Sequence, residues 1–513
     1  MATASRALAL LLVASLMAIN SDTGAARAPD DGWTETRFRT GCDPGPSHPA
    51  TYPEHRETHY PPLGSTPQPV DLHIDLGEPG GSDVRPILGS GFNFEHALWS
   101  CPAFRAIFRS EMLDPFRPSI ARVDTGLLPA APAELNADEL RPAVYEAVLS
   151  SAPYTDSWPF FRRLNRAGVK VILGVWGGPQ QFTADGTRLG HLLPQHYDDY
   201  VDYVATVVGF IVQRQGIQVW ATTIANEPDG GDGNQIAPDG LAYIAHQLAP
   251  RLAAMGVKLY GPDTANGEHA LQYLPALLDD PVVAENLAFV GFHQYYPSPE
   301  VDSVVQYVRE RRPDLPVIVT EYTSFGFGDL DDGQEANAQN GFSLDIATTL
   351  LSHYRAGVDA AVYWDAIDYL QPGHDAITRW GLLRGPGEDF QPRPRYYAMQ
   401  QILPYLQPGA RVLQDRQTGS SALRALAVRT AEGVPAVFLI NQDFGPLDLS
   451  LTLAGGDSAH YPSLVVTRTE RARQAERLGR LNLHDGIGRL LLSPRSITTL
   501  FPAGAGPQPD DGP

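Results

Sequence analysis

Glu227 and Glu321 each close a short apolar run, Thr223-Ile224-Ala225-Asn226-Glu227-Pro228 and Val317-Ile318-Val319-Thr320-Glu321-Tyr322. Runs of this kind make parallel strands buried on both faces. In an α/β barrel, the carboxyl ends of such strands build the active site. Two carboxyl groups facing one sugar ring can cleave an acetal: one protonates the departing oxygen and the other meets the developing oxocarbenium ion. The two need different proton affinities despite identical chemistry. Free Glu titrates near ~4.3, whereas a catalytic acid is tuned to about 6–7. Burial and a neighbouring anion raise one value, while a cation and hydrogen-bond donors hold the other down. Each motif alone has a plainer reading. Asn-Glu-Pro suits a helix start, and Thr-Glu-Tyr suits a surface carboxylate after a strand. Their places on the fourth and seventh of eight candidate strands favour one shared site.

Only a fold can join two residues so distant in the chain. From about Leu88 a strand–loop–helix pattern repeats, with strand ends expected near Phe94, Val123, Val175, Asn226, Gly261, Gln294, Glu321 and Trp364. Eight such ends separated by helices predict a (β/α)8 TIM barrel in the α/β class, spanning 83–395. Tyr200, Val201, Val204, Val207, Val208 and Ile211 make one apolar helical stripe that can lie on the barrel. A second helix runs from about Leu241 to Met255 and stops at Gly256, a good C-terminal cap. A doubly wound open sheet is the other arrangement, but no Gly-rich phosphate loop follows the first strand.

Beyond Arg395 the helices largely stop. Leu447 to Leu453 alternates apolar and polar, and Val434–Ile440, Leu464–Thr469, Arg489–Leu492 and Ser496–Phe501 read as further strands. Short strands between turn signals predict a C-terminal β-sandwich over 396–501, followed by a frayed acidic tail at 502–513. Residues 29–82 form an extended Pro-rich segment ending in the alternating strand Val70–Leu76, which is expected to join the sandwich.

Among 513 residues the formal net charge is −21. Such a chain is repelled by nucleic acid and anionic membranes and suits a neutral substrate. Arg6, the apolar run Ala7–Met17 and the small residues Thr23–Ala26 read as an export signal over 1–28. The run is short for a membrane span. A secreted, monomeric protein is therefore expected. Cys42 and Cys101 are the two cysteines, open to one disulfide or to two separate buried thiols.

An Asn-Glu-Pro strand end followed later by a Thr-Glu-Tyr strand end resembles the retaining glycoside hydrolases of clan A, closest in general look to families 30, 39 and 5. The resemblance covers the barrel and, loosely, the sandwich. It implies hydrolysis of β-glycosidic bonds in oligo- or polysaccharides by double displacement. Glu227 would be the acid/base and Glu321 the nucleophile, with Asn226 bonded to the sugar 2-hydroxyl. It also implies that Arg122, at the second strand end, touches the nucleophile. At the sixth strand end His293 or Tyr295 would face the nucleophile or the sugar, whichever the register turns inward.

Trp99, Trp176, Trp364 and Trp380 fall at or beyond strand ends, where an indole can serve as a platform for a sugar face or simply pack in the core. Trp176 and Trp364 are the preferred substrate contacts, with Trp364 as the floor of the pocket. Glu95, after the first strand, is a further candidate. Asp365 and Asp368 could bind hydroxyls or solvate a loop. Asp329, Asp331, Asp332 and Glu335 fit no twelve-residue calcium loop, so no metal or cofactor is expected. A metal-dependent barrel hydrolase would need a His-x-His on the first strand, where only Glu95-His96 stands. A glycan-binding barrel without catalysis would lack one of the two glutamates. A transglycosylase would keep both and is not separated by sequence.

Overall fold

The structure is a computed structural model, and it describes residues 66–77, 85–124, 135–151, 154–230, 233–324, 336–369, 379–456 and 458–504. The segment read as an export signal, the segment carrying Cys42, the acidic stretch 329–335 and the last residues of the tail lie outside these. Cys101 is disulfide-bonded.

The first strand, β1 (Gln68–Asp75), is followed by the eight strands of a closed parallel barrel. These are β2 (Gly89–Phe94), β3 (Ile120–Asp124), β4 (Lys170–Gly174), β5 (Ala221–Thr222), β6 (Lys258–Pro262), β7 (Leu287–His293), β8 (Val317–Tyr322) and β9 (Ala360–Tyr363). Ile120, Ile172, Ala221, Tyr260, Phe289, Ile318 and Ala360 share one apolar cluster from seven of these strands. It plugs the barrel, as close packing requires. The helices Tyr197–Gly209 and Pro238–Ala253 turn their apolar stripes inward, burying Tyr200, Val204 and Val208 on one and Leu241, Ile244 and Leu248 on the other.

The fourth barrel strand, β5, is much shorter than its apolar run suggests. Its ladder covers two residues, yet Thr223 N–H still donates to Leu173 O (3.1 Å) and Asn226 N–H to Val175 O (2.6 Å). The chain thus stays tethered to β4 while leaving regular strand geometry. That irregular stretch delivers Asn226 and Glu227 to the barrel mouth.

The remaining strands are β10 (Arg411–Val412), β11 (Gln414–Gly419), β12 (Leu423–Arg429), β13 (Pro435–Asn441), β14 (Leu447–Ala454), β15 (Ser463–Glu470), β16 (Arg473–Asn482), β17 (Ile487–Leu492) and β18 (Ser496–Pro502). They form a four-stranded sheet, β11-β1-β14-β17, and a six-stranded sheet, β10-β12-β13-β18-β15-β16. β1 runs parallel to β14, with Val70 opposite Leu449 and Leu72 opposite Leu451. Val70, Leu72 and Ile74 from β1 and Leu447, Leu449 and Leu451 from β14 share a core with Val437, Leu439, Leu464 and Leu500 of the other sheet. Period-two alternation aims one face of each sheet at the other. The helix Ala336–Arg355, which follows β8, is clamped to the sandwich by Arg355, whose guanidinium donates to Asp415 at 2.8 and 2.7 Å.

Candidate active site

Arg122 organises the barrel mouth. Ile120 belongs to the apolar plug, so alternation places Arg122 inside the barrel one layer higher. A buried guanidinium is costly unless its donors are all matched with acceptors. Here they are matched. Nη1 donates to Asn93 Oδ1 (2.9 Å) and Glu321 Oε2 (3.0 Å). Nη2 donates to Asn226 Oδ1 (2.6 Å) and Asp263 Oδ2 (2.8 Å), and Nε to Tyr260 Oη (3.2 Å). Burial alone would lower the affinity of Arg122 for its proton, but Asp263, Tyr260 and Glu321 outweigh it and keep the cation locked in.

The guanidinium also lies under the Trp176 ring, 4.3 Å from its centroid. Trp176 and Trp364 follow as a tilted pair with centroids 5.6 Å apart. Gly174 makes room for this stack, since a Cβ there would fall 2.3 Å from Trp176 Cζ3 and 3.1 Å from Arg122 Cζ.

Glu321 reaches the same cluster through an irregularity in β8. Ile318 and Thr320 point into the barrel, Ile318 in the plug and Thr320 donating to Asp263 Oδ1 at 2.6 Å. Strict alternation would turn Glu321 outward. The pairing of β8 instead slips on both sides: His293 opposes Glu321 after Phe292 has opposed Val319, and Tyr322 opposes Tyr363 after Val319 has opposed Ala361. A bulge of this kind re-aims one side chain, and here it turns Glu321 inward.

His293 needs no such device, because it alternates with Phe289 and Gly291 on β7. Its ring lies between three carboxylates. Nδ1 is 2.9 Å from Glu227 Oε1, and Nε2 is 3.5 Å from Asp263 Oδ1 and 3.7 Å from Glu321 Oε2. Burial favours the neutral ring. The Glu321 and Asp263 charges and the hydrogen bond to Glu227 overcome that and raise its pKa to about 10. It is an imidazolium at neutral pH. Asp263 is buried, yet Arg122, His293 and Thr320 hold its carboxyl well below the usual range. Glu321 is pushed up to about 7, chiefly by burial, with His293 and Arg122 pulling down and Glu227 and Asp263 pushing up.

Glu227 sits opposite. One carboxylate oxygen from it, one from Glu321 and a nitrogen of His293 all lie within 4.8 Å of one another. The Glu227 backbone is left-handed, with φ +39°, a conformation that costs a non-glycine residue roughly 1–2 kcal/mol. Its N–H donates to Asp263 O (2.9 Å), and its carbonyl accepts from Gly230 N–H (3.2 Å).

The structure therefore gathers Glu227, Glu321, Asn226, Arg122, His293 and Trp176 around one point, with Trp364 beside Trp176. Tyr295 is half-buried and meets the His293 ring edge-on at 6.2 Å, so His293 is the inward member of that pair. Glu95 instead caps the turn after β2, accepting from Ala97 N–H at 2.8 Å and lying 3.1 Å from His96 Nε2. Burial pushes His96 down to about 3, so the ring faces Glu95 uncharged. Trp99 packs edge-on against Phe104 and Phe108. Asp368 pairs with Arg393. Asn93, Tyr260 and Asp263 belong to the cluster but carry no sequence motif. The available signal was positional: Asn93 lies on a barrel strand near its carboxyl end, and Asp263 directly follows one.

The family described as Glycosyl hydrolase catalytic core matches residues 211–365, a stretch holding Glu227, Asp263, His293 and Glu321. No curated protein matches the chain. Among solved structures, the fold is similar to a family 30 endoxylanase from Clostridium papyrosolvens C71, at TM-score 0.64 and 16% identity over 84% of this chain and 99% of that one. It is similar to the endo-beta1,6-glucanase BT3312, at TM-score 0.59 and 16% identity over 86% and 96%. A family 44 xyloglucanase from Paenibacillus polymyxa aligns at TM-score 0.56 and 12% identity, over 85% and 100%. The match to a glycosyl hydrolase core is thus confined to residues 211–365, and the likeness to the solved structures is one of fold.

Proposed function

We propose that this protein is an exported retaining glycoside hydrolase that cleaves β-linked oligo- or polysaccharides. The observation that carries the reading is the closeness of Glu227 and Glu321, one carboxylate oxygen of each lying within 4.8 Å of one of the other. Retaining glycosidases hold their two carboxyl groups about 5–5.5 Å apart, whereas inverting ones leave ~6.5–9.5 Å for a water. The endoxylanase, endo-glucanase and xyloglucanase with the same fold support a polysaccharide of β-linked sugars. The basic, apolar and small-residue order at residues 1–28 supports export. No helix among the described residues is long and apolar enough to cross a membrane.

Charge arithmetic assigns the proton. Arg122 and His293 are cations, and Asp263 is an anion. The cluster is neutral when one of the two glutamates is ionised and the other protonated. Burial pushes the Glu321 carboxyl up to about 7, but it accepts from Arg122 directly and lies 3.7 Å from His293 Nε2, so we assign it the negative charge and the nucleophile's role. Glu227 accepts from His293 at Oε1, which leaves its other oxygen to carry the proton. In the first step a Glu321 oxygen bonds to C1 of the sugar. The bond from C1 to the leaving oxygen breaks, and that oxygen takes the Glu227 proton. Water then attacks C1, gives its proton to Glu227 and releases Glu321. Asn226, held by Arg122, is placed to bond a sugar hydroxyl, and Trp176 and Trp364 offer an apolar wall to the ring.

Glu227→Gln tests the proton assignment. kcat/KM on substrates with sugar leaving groups should fall by about 10²–10⁴-fold, the usual worth of a general acid. An aryl glycoside whose phenol leaves unaided should keep its first-step rate, and the alkaline limb of the pH profile should vanish. Equal losses on both substrates would refute the role.

A further inference from the structure

We propose that Asn234 is a positioning residue for the general acid, acting on Glu227 through the backbone of Gly233; the proposal rests on the glycosidase reading above. Glu227 lies in a left-handed conformation that its own side chain disfavours, so something outside it must hold it there. Its N–H and carbonyl bonds to Asp263 and Gly230 fix the peptide locally. The stretch that follows is pressed back against it. Gly233 lies so close to Asn226 that a Cβ on it would fall 1.7 Å from the Asn226 carbonyl oxygen. A glycine backbone is thus packed directly on the residue preceding the acid.

What presses Gly233 there is its neighbour. Asn234 is fully buried and donates through Nδ2 to Arg188 O (2.8 Å) and Gly190 O (3.2 Å). Both carbonyls belong to the segment that follows β4. Gln235 N–H donates to Gly190 O (3.3 Å), and Leu192 N–H donates to Gln235 O (3.0 Å). Ile236 N–H returns to Pro228 O at 2.9 Å, and Tyr273 Oη donates to Ile236 O at 2.9 Å. The Asn234 amide is therefore a side-chain clasp between two loops. One of them carries the acid and the other follows the strand that ends at Gly174, two residues before Trp176. Asn234 makes no hydrogen bond to Glu227, Glu321 or Arg122 among the described residues. Loosening it should let Glu227 relax toward an ordinary backbone conformation and carry its proton away from the leaving oxygen, leaving Glu321 in place.

The experiment compares two substrates with one glycone in the full-length protein. One releases 2,4-dinitrophenolate, which needs no proton, and the other releases a sugar or an alkyl alcohol, which does. Asn234→Asp keeps the shape and removes both donors, while Asn234→Ala removes the side chain. Each variant is read as the ratio of kcat/KM on the two substrates, a ratio that a loss of folded protein does not change. Displacement of a catalytic group by ~1 Å costs about 100-fold, so the ratio is expected to shift by about 10–100-fold against the proton-requiring substrate. An unchanged ratio in both variants overturns the proposal alone. If the unmodified protein cleaves neither substrate across a panel of glycones, the glycosidase reading falls and takes the proposal with it.

Discussion

Glu321→Gln is expected to lower kcat/KM by about four to six orders of magnitude, the loss typical of removing a covalent nucleophile. The amide nearly matches the carboxylate in size, and its carbonyl can still accept from Arg122 Nη1. The loss should therefore come with a native fold, read by an unchanged circular dichroism spectrum. It should appear on activated and unactivated substrates alike, which distinguishes it from Glu227→Gln. Shortening the residue makes the assignment sharper. Glu321→Gly opens space for a small anion on the face of the sugar that Glu321 would attack. Azide should restore turnover of an activated aryl glycoside and yield a glycosyl azide of inverted configuration. A retained azide product, or a loss below 100-fold in Glu321→Gln, would contradict the role.

Arg122→Met should be the most destabilising single change at the site. It removes one cation and leaves Asp263 and Glu321 buried beside each other, with His293 as the remaining cation beside them among the described residues. Breaking a buried ion pair from one side costs ~3–5 kcal/mol. The deficit should depend on pH with a definite sign. In the unmodified protein the depressed Asp263 carboxyl contributes stability that is present above its unfolded pKa and lost as pH falls through its folded one. Without the guanidinium, burial raises the Asp263 carboxyl, and Glu321, already near 7, rises further. A raised carboxyl contributes stability below its unfolded pKa of ~4 and loses it as pH climbs through the folded value. The deficit should thus be small near pH 4 and grow toward pH 8. Guanidinium-chloride midpoints at pH 4, 6 and 8 measure it, and a deficit independent of pH would contradict this account of Arg122.

The parts legible in sequence were those with a local pattern. The (β/α)8 repeat was visible because strands buried on both faces read as apolar runs, and the helices between them carry stripes. β14 was visible because one of its faces packs on the core and the other is half-exposed. By contrast, β11 and β16 are polar and mostly exposed along their length. They are edge strands of the two sheets, so burial never shaped an alternation there. The two glutamates were legible because each follows such a run. The inward turn of Glu321 was not, since it depends on a slip in pairing against β7 and β9 that no single strand encodes. Asp263 carries no local signal for a similar reason. Its importance comes from three partners on other strands, Arg122, His293 and Thr320, which only the closed barrel assembles. Asn234 carries no pattern of its own, and its role exists only in the carbonyls of a different loop.

The central claim is that Glu321 forms a covalent bond to the sugar while Glu227 supplies the proton. A 2-deoxy-2-fluoro glycoside with a good leaving group, matched to the sugar the protein hydrolyses, slows release of the glycosyl-enzyme enough for it to accumulate. Intact mass should rise by one fluoro-sugar per chain, and peptide mapping should find it on Glu321. A label on any other residue, or a turnover-competent protein that never acquires one and inverts the anomeric centre, would contradict the mechanism.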